Sequence, residues 1–403
     1  MNEQACYGLT ALGMVNALGA NNQQILDNLL HVDAPGMIKD AGWLADREVY
    51  CGKVIFALPA IDQLKKQHRS RNNQLLLAAL SQIKTPVDEA IARYGHDRVA
   101  VVIGSSTSGI AEGEQALQQP QRPESYHYQQ QEIGAPGVFL ADYLQLKGIA
   151  YTLSTACSSS AKAFAAARNL LALDLCDAVI VGGADSLCKL TLNGFSALES
   201  VSAKRCNPLS INRDGITIGE AAALFLLEKN PAAINLLGVG ESADAHHISA
   251  PQPDGIGAIA AMQNALNNAG LKADQISYLN MHGTATKKND LMESKAVAAV
   301  LGVKAACSST KRLTGHTLGA AGATEIGLCW LLMTQPREAT VLPAQCWDGN
   351  VDPELATIDL LTEQRFLSNQ RRCMMSNSFA FGGSNACVII GELNDITDNV
   401  IGQ

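Results

Sequence analysis

The chain has 403 residues, of which 47% are hydrophobic, 17% charged and 5% aromatic, enough apolar mass to exclude a disordered protein. Lys+Arg number 30 against 38 Asp+Glu; the net charge of −8 and the few aromatics argue against a nucleic-acid binder. No apolar run approaches the ~18 residues of a spanning helix, so no membrane association is expected.

Met1–Ala20 carries Glu3 and no Lys or Arg, unlike the charged region of a secretory signal, which predicts a cytoplasmic chain. Little chain lies ahead of Gly8–Gly19, so the N-terminal strand is expected to be short. Gln74–Tyr94 has the apolar spacing of one helix, and Arg98–Ile103 reads as a buried strand. Glu112–Glu132, rich in Gln, Pro and Tyr without a period, predicts a long surface loop. Ala178–Val181, Ala221–Leu227 and Cys387–Ile390 read as strands, Ala258–Ala269 and Leu291–Leu301 as helices, and Asn394–Gln403 as a polar tail. Strands alternating with helices predict an α/β protein with parallel sheets. Ile149–Leu173 and Ala305–Met333 share one plan: a strand, a polar junction, then a helix of small residues. This suggests two halves, 1–231 and 232–393, dividing near Asn230-Pro231.

The 11 cysteines show no CxxC and no zinc-like Cys/His cluster, so most should be free, buried thiols and no metal is expected. Cys157 stands apart. It lies in Ser154-Thr155-Ala156-Cys157-Ser158-Ser159-Ser160, at the expected first turn of a helix, where the macrodipole favours thiolate. His282, in His282-Gly283-Thr284-Ala285-Thr286, and His316, in Gly315-His316-Thr317, occupy Gly/Thr-rich loops of the second half. Each residue alone reads more simply as a satisfied core side chain. Together they make a nucleophile with two hydrogen-bonding imidazoles, provided they converge on one cavity.

These segments, with Asn289-Asp290, Glu293, Lys311 and Asn377-Ser378-Phe379-Ala380-Phe381-Gly382-Gly383-Ser384-Asn385, resemble the β-ketoacyl-[acyl carrier protein] synthases, in the elongating Cys-His-His type of the thiolase-like superfamily. Asn207–Glu220 and Ser242–Gly257 resemble two further signatures, and the matches keep the family's order from about residue 100 to 390. The resemblance implies a five-layer αβαβα fold of two pseudo-symmetric halves. It implies a decarboxylative Claisen condensation in fatty acid or polyketide elongation, with an aryl polyene pathway one option. Cys157 would carry the acyl chain, and His282 and His316 would donate to the malonyl thioester oxygen. Backbone N–H groups of Cys157 and Phe381 would form the oxyanion hole, and Lys311 would pair with Glu293. Thr284 and Thr286 would bind pantetheine amides, Phe379 and Phe381 would gate the acyl pocket, and Ile110 would line its tunnel. No cofactor is implied beyond the phosphopantetheine of an acyl carrier protein. Family members are dimers, so a homodimer or a heterodimer with a chain-length factor is expected.

Some features depart from the pattern. Ala380 stands where the family has Gly between its two aromatics, which predicts a restricted gate. A non-catalytic chain-length-factor-like partner would lack Cys157, and a coenzyme-A thiolase would carry a second reactive Cys that Asn377–Asn385 lacks. The basic run Ile61–Arg71 reads as a solvated face or, with Lys65, Lys66 and Arg69, as a carrier-docking surface. Gly238–Ala243 fits GxGxxA, but Pro251 and Pro253 leave no helix to receive a pyrophosphate.

Overall fold

The computed structural model describes residues 6–367 and 372–393; the expected tail, 394–403, lies outside them. Ten strands carry the architecture: β1 (Tyr7–Val15), β2 (Val99–Gly104), β3 (Ala150–Leu153), β4 (Ala178–Asp185), β5 (Ala221–Glu228), β6 (Asn235–Ala243), β7 (Tyr278–Asn280), β8 (Ala306–Ser308), β9 (Cys373–Phe379) and β10 (Ser384–Gly391). The first five lie in the order β1-β5-β4-β2-β3 and the second five in the order β6-β10-β9-β7-β8. Directions match too. β1/β5, β5/β4, β6/β10 and β10/β9 are antiparallel, while β4/β2, β2/β3, β9/β7 and β7/β8 are parallel. One five-strand plan is therefore used twice, and the copies join where Tyr7 and Gly8 of β1 pair with Leu236 and Asn235 of β6.

Helices complete the layers: α1 (Arg71–Gln82), α2 (Lys84–Tyr94), α3 (Ile110–Leu117), α4 (Ala135–Tyr143), α5 (Ser159–Ala172), α6 (Lys189–Ala197), α7 (Ile256–Ala269), α8 (Lys287–Val300) and α9 (Ala321–Thr334). α1, α2 and α4 cover one outer face, α7 and α8 the other, and α5 and α9 pack between the sheets. Strand β2 shows why its sequence is continuously apolar. Val99, Val101 and Ile103 face the outer helices while Ala100 and Val102 face the central layer, so both faces are covered. α9 is apolar apart from Thr324, Glu325 and Thr334 because it is central; Trp330 and Thr334 are its only residues not fully buried. Gly322 permits its close approach to α5, since a Cβ there would lie 2.7 Å from the Ala161 nitrogen.

Three expectations need correction. The single helix over Gln74–Tyr94 is two helices broken at Ile83, because Pro86 lacks the N–H that a continuous helix would use. β1 is not short: it spans nine residues and pairs along most of its length with β5. The segment 112–132 is not one loop. It contains most of α3 and a 3-10 turn, Tyr128–Gln131, held by inward polar groups rather than apolar periodicity. Glu112 accepts from the Arg71 N–H at 2.7 Å, and buried Gln130 donates to the carbonyls of Lys66, Arg69 and Ser125.

Candidate active site

The polar groups gather at the C-terminal ends of the parallel strands, where open α/β sheets bind ligands. Cys157 follows β3, His282 follows β7, and His316 lies on the β8-to-α9 connection, so Cys157 and His316 occupy equivalent junctions of the duplicated plan. Ala156 adopts a left-handed φ of 52°, turning the chain sharply before α5. Cys157 thus stands just outside the helix, whose N-cap is Ser158, not in its first turn. Cys157 Sγ and one ring nitrogen of each histidine all lie within 4.8 Å of one another. His316 Nε2 is 3.1 Å from the sulfur, and the imidazole rings of His282 and His316 meet edge-on at 5.3 Å.

Burial sets the protonation states. It pushes the Cys157 thiol up to about 11, against the opposing pull of Lys311 and of the Phe381 and Cys157 backbone N–H groups. The expected thiolate is therefore absent at neutral pH: desolvation outweighs the helix end. Burial, with the Lys311 charge second, holds both imidazoles well below their usual value, so each is neutral. Lys311 Nζ lies 3.3 Å from His282 Nδ1. An ammonium can only donate, so Nδ1 accepts and the proton of His282 sits on Nε2. His316 Nδ1 has no partner among the described residues, which leaves its tautomer free to change. Its backbone is fixed instead, with N–H to Thr217 O at 2.6 Å and O to Gly219 N at 2.9 Å.

The expected Lys311–Glu293 pair does not form. Lys311 is bound by Glu325 of α9, which the sequence reading missed. A lone carboxylate in an otherwise apolar helix, nine residues after His316, was the available signal. Glu293 lies beneath the other loop, accepting from the N–H groups of His282 at 2.8 Å and Gly283 at 2.7 Å, and from Asn377 at 3.2 Å. Burial raises both carboxyls to about 7.

A cavity of about 520 Å³ leads to Cys157, lined also by both histidines, Thr284, Thr286, Phe379, Ala380 and Phe381. The Thr284 and Thr286 hydroxyls are 3.1 Å apart. Phe379 packs against His282, and Phe381 against Phe195 of α6 at 5.4 Å, a wall residue the sequence did not single out. The left-handed positions of this turn fall on Gly382 and Gly383, at φ 83° and 76°, so Ala380 is accommodated without strain.

Other candidates lie elsewhere. Ile110 begins α3 and is not a wall of this cavity. Lys65 pairs with Asp142, Lys66 with Glu124, and Arg69 donates to Leu64 O, all away from the cavity. Gly238–Ala243 lies within β6. Among the described residues, Cys157, His282 and His316 alone have metal-ligand spacing, and the adjacent Lys311 ammonium opposes a cation there.

Comparison with known proteins agrees with this geometry. Residues 58–233 match the β-ketoacyl synthase N-terminal domain and residues 234–344 the C-terminal domain. The chain belongs to the β-ketoacyl synthase family, with a thiolase-like fold. It is 36% identical over 266 residues to 3-oxoacyl-[acyl-carrier-protein] synthase 2 of Rhizobium meliloti, a match spanning 61% of each chain. It is 30% identical to the enzyme of that name from Staphylococcus aureus, over 82% of this chain and 83% of the other. A solved chain from the complex of the ketosynthase ApeO with its chain length factor ApeC, from Xenorhabdus doucetiae, is 50% identical, covers 98% of this chain and 99% of its own, and superposes with a TM-score of 0.93. Among the described residues no helix is long and apolar enough to cross a membrane.

Proposed function

We propose that this protein is a 3-oxoacyl-[acyl carrier protein] synthase joining an acyl group to malonyl-carrier protein with loss of carbon dioxide. The observation that carries it is the meeting of Cys157 Sγ with two neutral imidazoles at the base of one cavity.

In acylation the Cys157 sulfur attacks the thioester carbonyl of a carrier-bound acyl group. The thiol proton passes to His316 Nε2 and on to the departing pantetheine sulfur, and the tautomeric freedom of His316 suits this relay. The tetrahedral oxyanion is held by the N–H groups of Cys157 and Phe381, both directed at the sulfur site. Malonyl thioester then enters along the threonine wall. Its carbonyl oxygen receives the Nε2–H of His282, fixed by Lys311, and that of His316 as decarboxylation builds an enolate. The enolate carbon attacks the acyl-Cys157 carbonyl; collapse releases the β-ketoacyl product and the Cys157 thiolate, which takes the His316 Nε2 proton, replaced from solvent.

The acyl chain belongs to fatty acid or polyketide elongation, and the similarity to the ApeO–ApeC complex favours an aryl polyene pathway with a chain-length-factor partner. Among the described residues strand β3 ends its sheet with one edge unpaired, a surface suited to pairing with such a partner. A non-catalytic role is disfavoured by the retained Cys157–His316 contact. Cysteines that are mostly buried, such as Cys51, Cys176 and Cys206, suit a reducing cytoplasm. The test is intact-mass detection of acyl-Cys157 after incubation with acyl-carriers, followed by loss of the adduct and release of carbon dioxide when malonyl-carrier is added. A chain that accepts no acyl group from any carrier refutes the reading.

A further inference from the structure

The cavity that reaches Cys157 is also lined by Leu198–Ser200, Asp214–Ile216, Ser249–Pro251 and the start of α8, where Lys287 and Lys288 follow directly on Thr286. Both lysines are exposed and lie on the cavity wall. Among the described residues neither forms an ion pair. Lys287 does exert its field on Asp352, but that carboxylate is already bound by Arg213. Of the carboxylates that also line the cavity, Asp214 accepts from the Ser202 hydroxyl and the Ala203 N–H, Asp244 accepts from Asn385 and the Gln252 N–H, and Glu199 is exposed. Local structure gives no reason for these two cations, since lysine in the first turn opposes the helix dipole. The other basic cluster, Lys65 and Lys66, is neutralised by Asp142 and Glu124 and lies outside the cavity.

We propose that Lys287 and Lys288 bind the phosphate of a carrier-borne phosphopantetheine arm at the mouth of the cavity. This rests on the condensing-enzyme reading, which requires a pantetheine thiol end at Cys157. The threonine pair Thr284 and Thr286 lines the path between, so one segment, 284–288, would contact the arm in order from amides to phosphate. Two adjacent ammonium groups suit a phosphate better than a neutral pantetheine, and the contribution is electrostatic and salt-sensitive. It acts on recognition of the arm and not on the chemistry at the sulfur.

The experiment compares Cys157 acylation rates, read by intact mass, for acetyl, hexanoyl and decanoyl thioesters of pantetheine, 4′-phosphopantetheine and the holo-carrier. The native chain is expected to favour the phosphorylated arm by about tenfold at low salt, with the preference shrinking as salt rises. In Lys287→Ser/Lys288→Ser the preference for 4′-phosphopantetheine disappears and the rate with carrier falls by a similar factor, while the rate with plain pantetheine stays unchanged. Lys287→Arg/Lys288→Arg restores it. No preference in the native chain, or an equal loss with all three thioesters in the serine variant, overturns the proposal. A loss seen with free 4′-phosphopantetheine but absent with the carrier overturns the assignment to a carrier-borne arm. Failure of every thioester to acylate Cys157 refutes the condensing-enzyme reading itself, a result distinct from acylation without phosphate preference.

Discussion

His316 Nε2 lies 3.1 Å from Cys157 Sγ although the two are 159 positions apart in the chain. The contact crosses between the two copies of the five-strand plan. It pairs a thiol that burial keeps protonated with an imidazole that burial keeps neutral.

Replacing the sulfur separates the two half-reactions. Cys157→Ala is expected to abolish acylation and condensation. Cys157→Gln should retain or enhance malonyl decarboxylation, because the two imidazoles and the N–H groups remain in place. Carbon dioxide release from malonyl-carrier measures this; a Gln variant that releases none would falsify the donor role of the histidine pair.

The two imidazoles should fail differently. His282→Ala removes a donor fixed on the enolate oxygen, so decarboxylation by the Cys157→Gln background should fall about 10²–10³-fold. His316→Ala should slow acylation of Cys157 as well, since it also removes the proton relay. Equal effects of both substitutions on acylation and on decarboxylation would count against the division of labour drawn from their tautomers.

Lys311 and Glu325 form a buried pair whose removal tests positioning against stability. Glu325→Leu alone strands a buried ammonium and should cost about 3–5 kcal/mol in denaturant unfolding. The double variant Lys311→Met/Glu325→Leu should regain most of that stability. Its decarboxylation should stay low, because nothing then holds the proton of His282 on Nε2. Recovery of both properties together would show the pair to be structural only.

Alkaline pH should act on the thiol in a defined direction. With Cys157 at about 11 against 9.0 for an unperturbed thiol, its alkylation by iodoacetamide should keep accelerating through pH 10 in place of levelling near 9. The same buried thiols set a stability trend. The folded chain retains protons that the unfolded chain loses between pH 9 and about 11, so stability is full below pH 9 and falls as pH rises through that window. Cys206, also at about 11, and Cys51, at about 12, add to it. A urea midpoint that is flat from pH 8 to 10.5 would contradict these assignments.

The central layer tolerates little added volume. Gly322→Ala places a methyl against the backbone of Ala161 and should destabilise by about 1–3 kcal/mol. Because α5 and α9 follow the Cys157 and His316 junctions, the acylation rate should fall further than the loss of stability alone explains.

Much of this was legible in the sequence, for identifiable reasons. The apolar runs 98–103 and 221–227 announce strands because both faces of a central parallel or mixed sheet are covered. Cys157, His282 and His316 stand in junctions rich in Gly, Thr and Ser, which mark strand ends where backbone and ligand approach closely. What sequence could not show was partnership. Glu293 and Glu325 are both acidic residues in helices, and only the fold decides that the first holds backbone N–H groups while the second holds Lys311. Polar anchoring by Glu112 and Gln130 hid α3 and the 3-10 turn that follows, since apolar periodicity cannot reveal elements fastened by hydrogen bonds. Ile110 was placed on the tunnel by resemblance alone, and its position at the start of α3 depends on that same hidden element.

The duplicated sheet plan also divides the proposed chemistry between the two halves of the chain. A nascent chain that has emerged from the ribosome only through β5 already contains the sulfur, but no imidazole stands beside it and the proton relay does not exist. Under the proposed mechanism, acyl transfer requires both copies of the plan, and a chain ending before His316 would hold the sulfur without its proton acceptor.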